Sequence, residues 1–380
     1  MPTRREFLEH VGGAAAGVVF AGGSLVDIGA RALQSGGAGG RRTVMLGGRR
    51  VTTVDVHAHC YVPEVLPIVE GHPWGAGVTR SVQATELGTL LNPEVIGPDR
   101  LRAMDRYGVD VQVLSINPYW HTADRDTARR LITVQNKALA DACARYPGRF
   151  VGLASVAMQY PDLAAEQLEE AMTQFGLRGA GIAGNIAGEE LGSPRLDPYW
   201  SKAEELQAFQ FIHPQSRGGF DGRTYPAGMY ERMGEFGGNV IGYPLETTLA
   251  FSHLIFDGTL DRFPGLKFCG AHGGGYLPSY IGRSDGVCDD PRWEYCASLK
   301  KRPSEYFEDQ LYCDTLVFSP EGVRHLVEEH GVSQIVLGTD DPYPWPVRGV
   351  DNILECPGLS DADKRAILGG NLIKLLHIDV

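Results

Sequence analysis

His57 and His59 stand one residue apart in the run VDVHAH (54–59), where valine and alanine alternate with Asp55, His57 and His59. On an extended strand, residues i and i+2 face the same side, so the two imidazoles would stand roughly 6–7 Å apart at the backbone. That spacing suits two nitrogen ligands converging on one cation. It suits equally two ordinary polar residues at a strand end. Three more groups of the same chemical kind close other apolar runs: His213 in FQFIHP (209–214), His272 in LKFCGAH (266–272) and Asp340 in QIVLGTD (334–340). Imidazole and carboxylate together can ligate a divalent cation, and imidazole moves protons near neutral pH. Singly, each has a plainer reading: a hydrogen-bonded strand-end histidine, or an aspartate capping a turn.

These groups share a site only if the elements bring their ends together. Eight apolar runs read as strands: 51–59, 110–116, 150–156, 178–184, 209–214, 266–272, 311–315 and 334–340. Helical patterns lie between or after them at 99–107, 124–146, 161–175, 197–207, 245–257, 319–330 and 360–376. In 160–176, Pro161 opens the pattern and Gly176 stops it. Strands alternating with helices imply parallel pairing and predict an α/β fold, a (β/α)8 TIM barrel of the metal-dependent hydrolase type. A doubly wound open sheet is the alternative, but no strand is followed by a GxGxxG turn. In a parallel barrel all strand ends meet at one rim, and the five groups would converge there. The Pro- and Gly-rich stretch 60–98 after the first strand would form a rim or lid.

In order, VDVHAH, FIHP, AHGGG and VLGTDDPYP are similar to motifs of the amidohydrolase superfamily, and more closely of its aminocarboxymuconate-semialdehyde decarboxylase branch. RFPGLKFCGAHGGG (262–275) and GNLIKLL (370–376) extend the resemblance over roughly 51–376. It implies that His57, His59, His213 and Asp340 hold one zinc ion per chain, with His272 as the catalytic histidine beside a metal-bound hydroxide. Binuclear members carry a lysine at the end of the fourth strand; RGAGIAGNI (178–186) has none, which implies a single ion. Many related aromatic-acid decarboxylases begin with Glu-x-His, so His57 leans toward the aminocarboxymuconate type. Arg283, eleven residues after His272, matches an arginine that binds a substrate carboxylate across a dimer interface, which implies a homodimer. A second such arginine has no counterpart at the matching place, since Arg80 is offset, and this leaves the substrate open. Trp120 and His121 follow the second strand and are candidates to line the pocket. The expected activity is non-oxidative decarboxylation of an unsaturated or aromatic carboxylic acid. Hydrolysis or hydration of a lactone, amide or double bond on the same scaffold is the alternative, because fold and metal site do not fix the reaction. A non-catalytic scaffold would be expected to have lost some of the five groups.

Composition limits the partners. Among 380 residues 43% are hydrophobic, enough for a large core, and the net charge of −12 argues against nucleic acid. Arg4 and Arg5, an apolar stretch from Val11 to Ala21, and ARA (30–32) follow the order of a twin-arginine export signal over 1–32. The apolar stretch is too short to span a membrane. Residues 33–48 are expected as a flexible linker and 49–380 as one catalytic domain, exported to the periplasm or beyond; a cytoplasmic protein is the alternative. The seven cysteines (60, 143, 269, 288, 296, 313, 356) show no CxxC pair and no spacing that indicates a disulfide framework.

Overall fold

Eight parallel strands frame the computed structural model, which describes residues 40–76, 78–79, 96–214, 237–343, 345 and 349–379. They are β1 (Val54–His59), β2 (Val111–Ser115), β3 (Phe150–Gly152), β4 (Gly179–Ala183), β5 (Phe209–His213), β6 (Lys267–Gly270), β7 (Leu311–Asp314) and β8 (Ile335–Val336). One parallel sheet runs β1-β2-β3 and a second β4-β5-β6-β7-β8. Single bridges join them edge to edge, Ala154 with Ala180 and Ala58 with Asp341. Backbone bonds at these seams, Ala154 N to Gly179 O at 2.8 Å and Val56 N to Leu337 O at 2.9 Å, complete the ring. The chain is the expected (β/α)8 barrel, and an open sheet is excluded because both outer edges are joined.

The helices follow their strands: α1 (Pro98–Tyr107), α2 (Arg125–Arg145), α3 (Pro161–Thr173), α4 (Asp197–Glu205), α5 (Tyr243–Phe256), α6 (Leu277–Cys288) and α7 (Pro320–His330). Local chemistry sets their ends. Asp124 and Ser319 accept the backbone N–H of Thr127 and Gly322 at 3.0 Å each, and Gly108 closes α1 at φ 76°. Helix α6 has no counterpart among the sequence patterns; Gly282 and Gly286 dilute its helical signal, and packing against α7 supplies what propensity lacks.

Alternate strand residues sort into two buried groups. Val54, Val56, Val111, Val113, Phe209, Phe211, Cys269 and Val336 pack inside the ring, with Leu372 of the C-terminal helix Asn371–Leu375 and Leu376 just past its end. Ala58, Leu114, Ile212, Phe268, Leu311 and Ile335 face the helices. The expected unbroken alternation of β1 does not hold: Val56 faces inward and Ala58 outward, yet His57 meets Asp314 and His59 within the site. The reason is a register shift between Asp55 and Ala58, a bulge of one extra residue. The Asp55 carboxylate stabilises it by accepting the His57 N–H at 3.0 Å and the Thr339 hydroxyl at 2.6 Å.

Three stretches carry more structure than the sequence indicates. Within 40–48, Val44 is buried and Met45–Leu46 pairs with Arg49–Arg50. In the stretch after β1, expected as a rim or lid, Pro63–Val65, Leu66–Val69 and Pro73–Gly75 are helical turns, and Val62, Val65, Val69 and Trp74 join the core. Residues 80–95, with Arg80, and the segment 1–32 lie outside the described residues. Cys288 and Cys296 form a disulfide, Cα to Cα 5.2 Å, where no pairing was indicated. Their pairing depends on the chain folding back after α6, which spacing does not encode. No helix among the described residues is long and apolar enough to cross a membrane.

Candidate metal centre

The five groups do converge. The β1 bulge presents His57 and His59, β5 ends at His213, and His272 and Asp340 lie in turns just past β6 and β8. Those last two are not strand residues as expected. Both take left-handed backbone, φ 57° and 62°, which ends a strand and turns the side chain over the rim. Gly273 and Gly274 continue the left-handed turn, and a Cβ on Gly274 would lie 2.6 Å from Cys313 Sγ. The glycine run therefore serves packing against β7.

One potential ligand atom from each of His57, His59, His213 and Asp340 lies within 4.8 Å of the others, all in buried residues. His57 Nε2 is 3.0 Å from His59 Nε2, and Asp340 Oδ1 lies 3.2 and 3.1 Å from these two nitrogens. Asp340 Oδ1 and the Nδ1 atoms of His59, His213 and His272 have no hydrogen-bond partner. Acceptor atoms massed around one point in a dry interior are costly without a cation among them, so the donor set fits a divalent ion. Asp340 Oδ2 is already engaged by the Trp345 indole N–H at 2.7 Å, which leaves Oδ1 to face the histidines. It is the single such cluster among the described residues, and β4 carries no lysine beside it.

His272 lies just beyond the quartet, its ring 5.2 Å from those of both His57 and His213 and stacked on Tyr243 at 6.0 Å. Burial, and next the charge on His57, lower its pKa to about 4, so His272 is neutral at physiological pH. Burial likewise lowers His59 and His213. For His57 burial acts the same way but is outweighed by Asp340 and Asp314, which raise it to about 10. For Asp340 burial is outweighed by His57 and His59, and its carboxyl is held far below the usual range.

Trp120 and Arg283, the expected substrate contacts, lie in different surroundings. Trp120 is fully buried and donates its indole N–H to the Val156 carbonyl at 2.9 Å, so its polar edge supports the chain after β3. Arg283 is exposed on α6, in a groove with Phe256, Asp257, Ser284, Val287 and Tyr295. Tyr243 opens α5 at His272 and Phe256 closes it at that groove, and at 1.5 Å per residue these ends are roughly 20 Å apart. Arg283 is thus remote from the histidines of its own chain.

Sequence reasoning passed over three residues. Asp314 closes β7, Trp345 lies in the DDPYPW turn, and Arg100 of α1 is fully buried, bonding the His59 carbonyl and Gln112 Oε1 at 2.7 Å each. Asp314 had a signal, since it too is an ionisable group closing an apolar run. Arg100 had none, because its helix position looks like any solvated arginine.

The chain matches the family model described as Amidohydrolase over residues 54–378. It is 34% identical over 293 residues to 2-amino-3-carboxymuconate-6-semialdehyde decarboxylase of Dictyostelium discoideum, covering 74% of this chain and 77% of that protein. The crystal structure of 5-carboxyvanillate decarboxylase from Sphingomonas paucimobilis superposes with a TM-score of 0.76 at 25% identity, covering 87% of this chain and 100% of that one. Dihydroxybenzoic acid decarboxylase of Polaromonas sp., solved with bound manganese and the inhibitor 2-nitroresorcinol, shares the fold with a TM-score of 0.72 at 24% identity, covering 86% and 97%.

Proposed function

Because the chain belongs to the amidohydrolase family, we propose that it is a metal-dependent, non-oxidative decarboxylase of an unsaturated or aromatic carboxylic acid. The observation that carries this reading is the buried quartet His57, His59, His213 and Asp340 with His272 against it, in a chain similar to decarboxylases of both kinds of acid. His57, His59 and His213 would hold one zinc ion through ring nitrogens and Asp340 through Oδ1. Such an ion supplies Lewis acidity toward the substrate and lowers the pKa of water toward about 7.

The remaining work belongs to side chains of this protein. With an ion bound in place of the proton that His57 otherwise holds, three neutral imidazoles and one carboxylate would leave the site net positive, which favours a substrate carboxylate. His272 is neutral and can take up a proton from solvent at its unpartnered Nδ1, the one proton that replacing a carboxylate by hydrogen consumes. It returns that proton to the carbon that loses its carboxyl group. The carbon–carbon bond breaks, its electron pair stays on that carbon, the proton from His272 fills the vacated position and carbon dioxide departs. Tyr243, stacked on His272, limits rotation of the ring.

We read Arg283 as the carboxylate-binding arginine for the neighbouring subunit's site in a homodimer. Its exposure and its distance from its own histidines support this. We also read the protein as exported, and the Cys288–Cys296 disulfide supports an oxidising compartment.

Purified protein should contain about one divalent ion per chain, lose turnover on chelation and regain it with zinc. A panel of unsaturated and aromatic acids should release carbon dioxide. Turnover indifferent to chelation would overturn the reading, as would a product that has gained water with no carbon dioxide lost. Manganese restoring activity better than zinc would correct the ion and leave the reaction standing.

A further inference from the structure

Asp314, at the end of β7, is fully buried, and its two oxygens accept three donors. Oδ2 takes His57 Nδ1 at 2.6 Å. Oδ1 takes the Gly273 N–H at 2.7 Å and the Leu316 N–H at 3.0 Å. Two of these donors belong to different parts of the site. His57 is a member of the quartet, and Gly273 is the residue after His272 in the left-handed turn that presents that ring. Gly338 closes the opposite side: a Cβ there would lie 2.7 Å from Asp314 Cβ and 2.9 Å from Oδ2. Asp314 therefore fills the space that a side chain at 338 would need and packs directly on the backbone there.

On the reading above, we infer that Asp314 is a positioning residue that sets both the His57 tautomer and the place of His272. An imidazole that donates from Nδ1 keeps its Nε2 lone pair for the quartet, where Nε2 already faces His59 and Asp340. His57 is pinned at every other point as well, its N–H by Asp55 and its carbonyl by the Asp340 N–H at 2.8 Å. Only the ring proton remains to be assigned, and Asp314 assigns it. The same carboxylate ties the His272 turn to β7, so ligand and proton-transfer group share one reference point.

Asp314→Asn keeps the shape and removes the assignment. An amide has one accepting end and one donating end. Its NH2 must face either the His57 Nδ1–H or the Gly273 and Leu316 N–H pair. The first arrangement forces His57 to the other tautomer, with its proton on Nε2; the second dislodges the His272 turn.

The test compares wild type and D314N by chelator competition for zinc and by long-range 1H–15N spectra of 15N-histidine-labelled, zinc-loaded protein. Wild-type His57 should show a protonated Nδ1 and a metal-bound Nε2. D314N should bind zinc about 10- to 100-fold more weakly and lose that ring pattern, with its circular dichroism unchanged. D314N binding within threefold of wild type with the same ring pattern would overturn the role of Asp314 and leave the proposed function standing. Wild type that takes up no zinc would defeat the proposed function and, with it, this inference. Where D314N does not fold, the wild-type spectrum decides: zinc on His57 Nδ1, or a proton on Nε2, refutes the assignment.

Discussion

Arg100→Leu should both destabilise the barrel and weaken its metal site. Arg100 is wholly buried beneath the rim. Its Nε and NH1 donate to Gln112 Oε1 and the His59 carbonyl at 2.7 Å each, and its NH2 lies 3.3 Å from Asp341 Oδ2. Leucine fills most of the space but leaves those acceptors without that guanidinium, one of them a carboxylate only 16% exposed. Removing one partner of a buried pair costs about 3–5 kcal/mol, and the residual solvent access of Asp341 places the effect near the lower bound. At roughly 2 °C per kcal/mol for a large domain, that is a fall of about 6 °C in melting temperature. The His59 carbonyl would also lose its anchor at the β1 bulge, so zinc affinity should drop about tenfold, as when outer partners of metal ligands are removed. The assays are thermal or urea denaturation of the metal-free protein and chelator competition on the folded protein. Arg100→Lys should recover only part of both losses, because an ammonium cannot reproduce the fork. A melting temperature within 1 °C of wild type and an unchanged zinc affinity would refute the argument that this buried cation anchors the bulge.

His272→Asn tolerates the left-handed backbone and should keep its metal while lowering kcat by about 10²-fold or more, measured as carbon dioxide release at saturating zinc. The same variant tests the burial of that ring in metal-free protein. A histidine whose folded pKa is lowered to about 4 contributes stability above its unfolded value near 6.5 and loses it as pH falls through that window to 4. Urea titrations should therefore show wild type losing up to about 3 kcal/mol more than His272→Asn between pH 7 and pH 4. Trp345→Phe removes the indole donor to Asp340 Oδ2 and should weaken zinc binding several-fold, read by the same competition assay. Cys288→Ser opens a loop of eight-residue separation and should cost about 2.5 kcal/mol in urea denaturation, with zinc affinity unchanged because the disulfide lies at the end of α6 away from the histidines.

Local patterns carried the repeating part of this fold. Apolar runs, helical spacing and end signals such as Pro161 and Ser319 depend on neighbours a few residues away, so they are legible along the chain. They placed eight strands, six of the helices α1–α7 and the C-terminal helical stretch, and the residues that close those apolar runs were the ones found at the rim. Helix α6 escaped because its glycines weaken the local signal and its stability comes from packing. For Trp120 the position after β2 is legible, but the direction of its indole N–H, toward the Val156 carbonyl, depends on the neighbouring strand.

What the linear order determined is the set of ionisable groups, His57, His59, His213, His272 and Asp340, and the strand order that would bring them to one rim. What the closed ring decided is their state. The β1 bulge depends on pairing with β2 and on the seam with β8, and it helps turn His57 inward beside His59. Asp314 meets His57 across 257 positions of sequence, and Arg100 meets Asp341 across the seam. Burial and tautomer are properties of such long-range contacts: a side chain's solvation, and the partner that takes its proton, exist only once the distant strands are side by side.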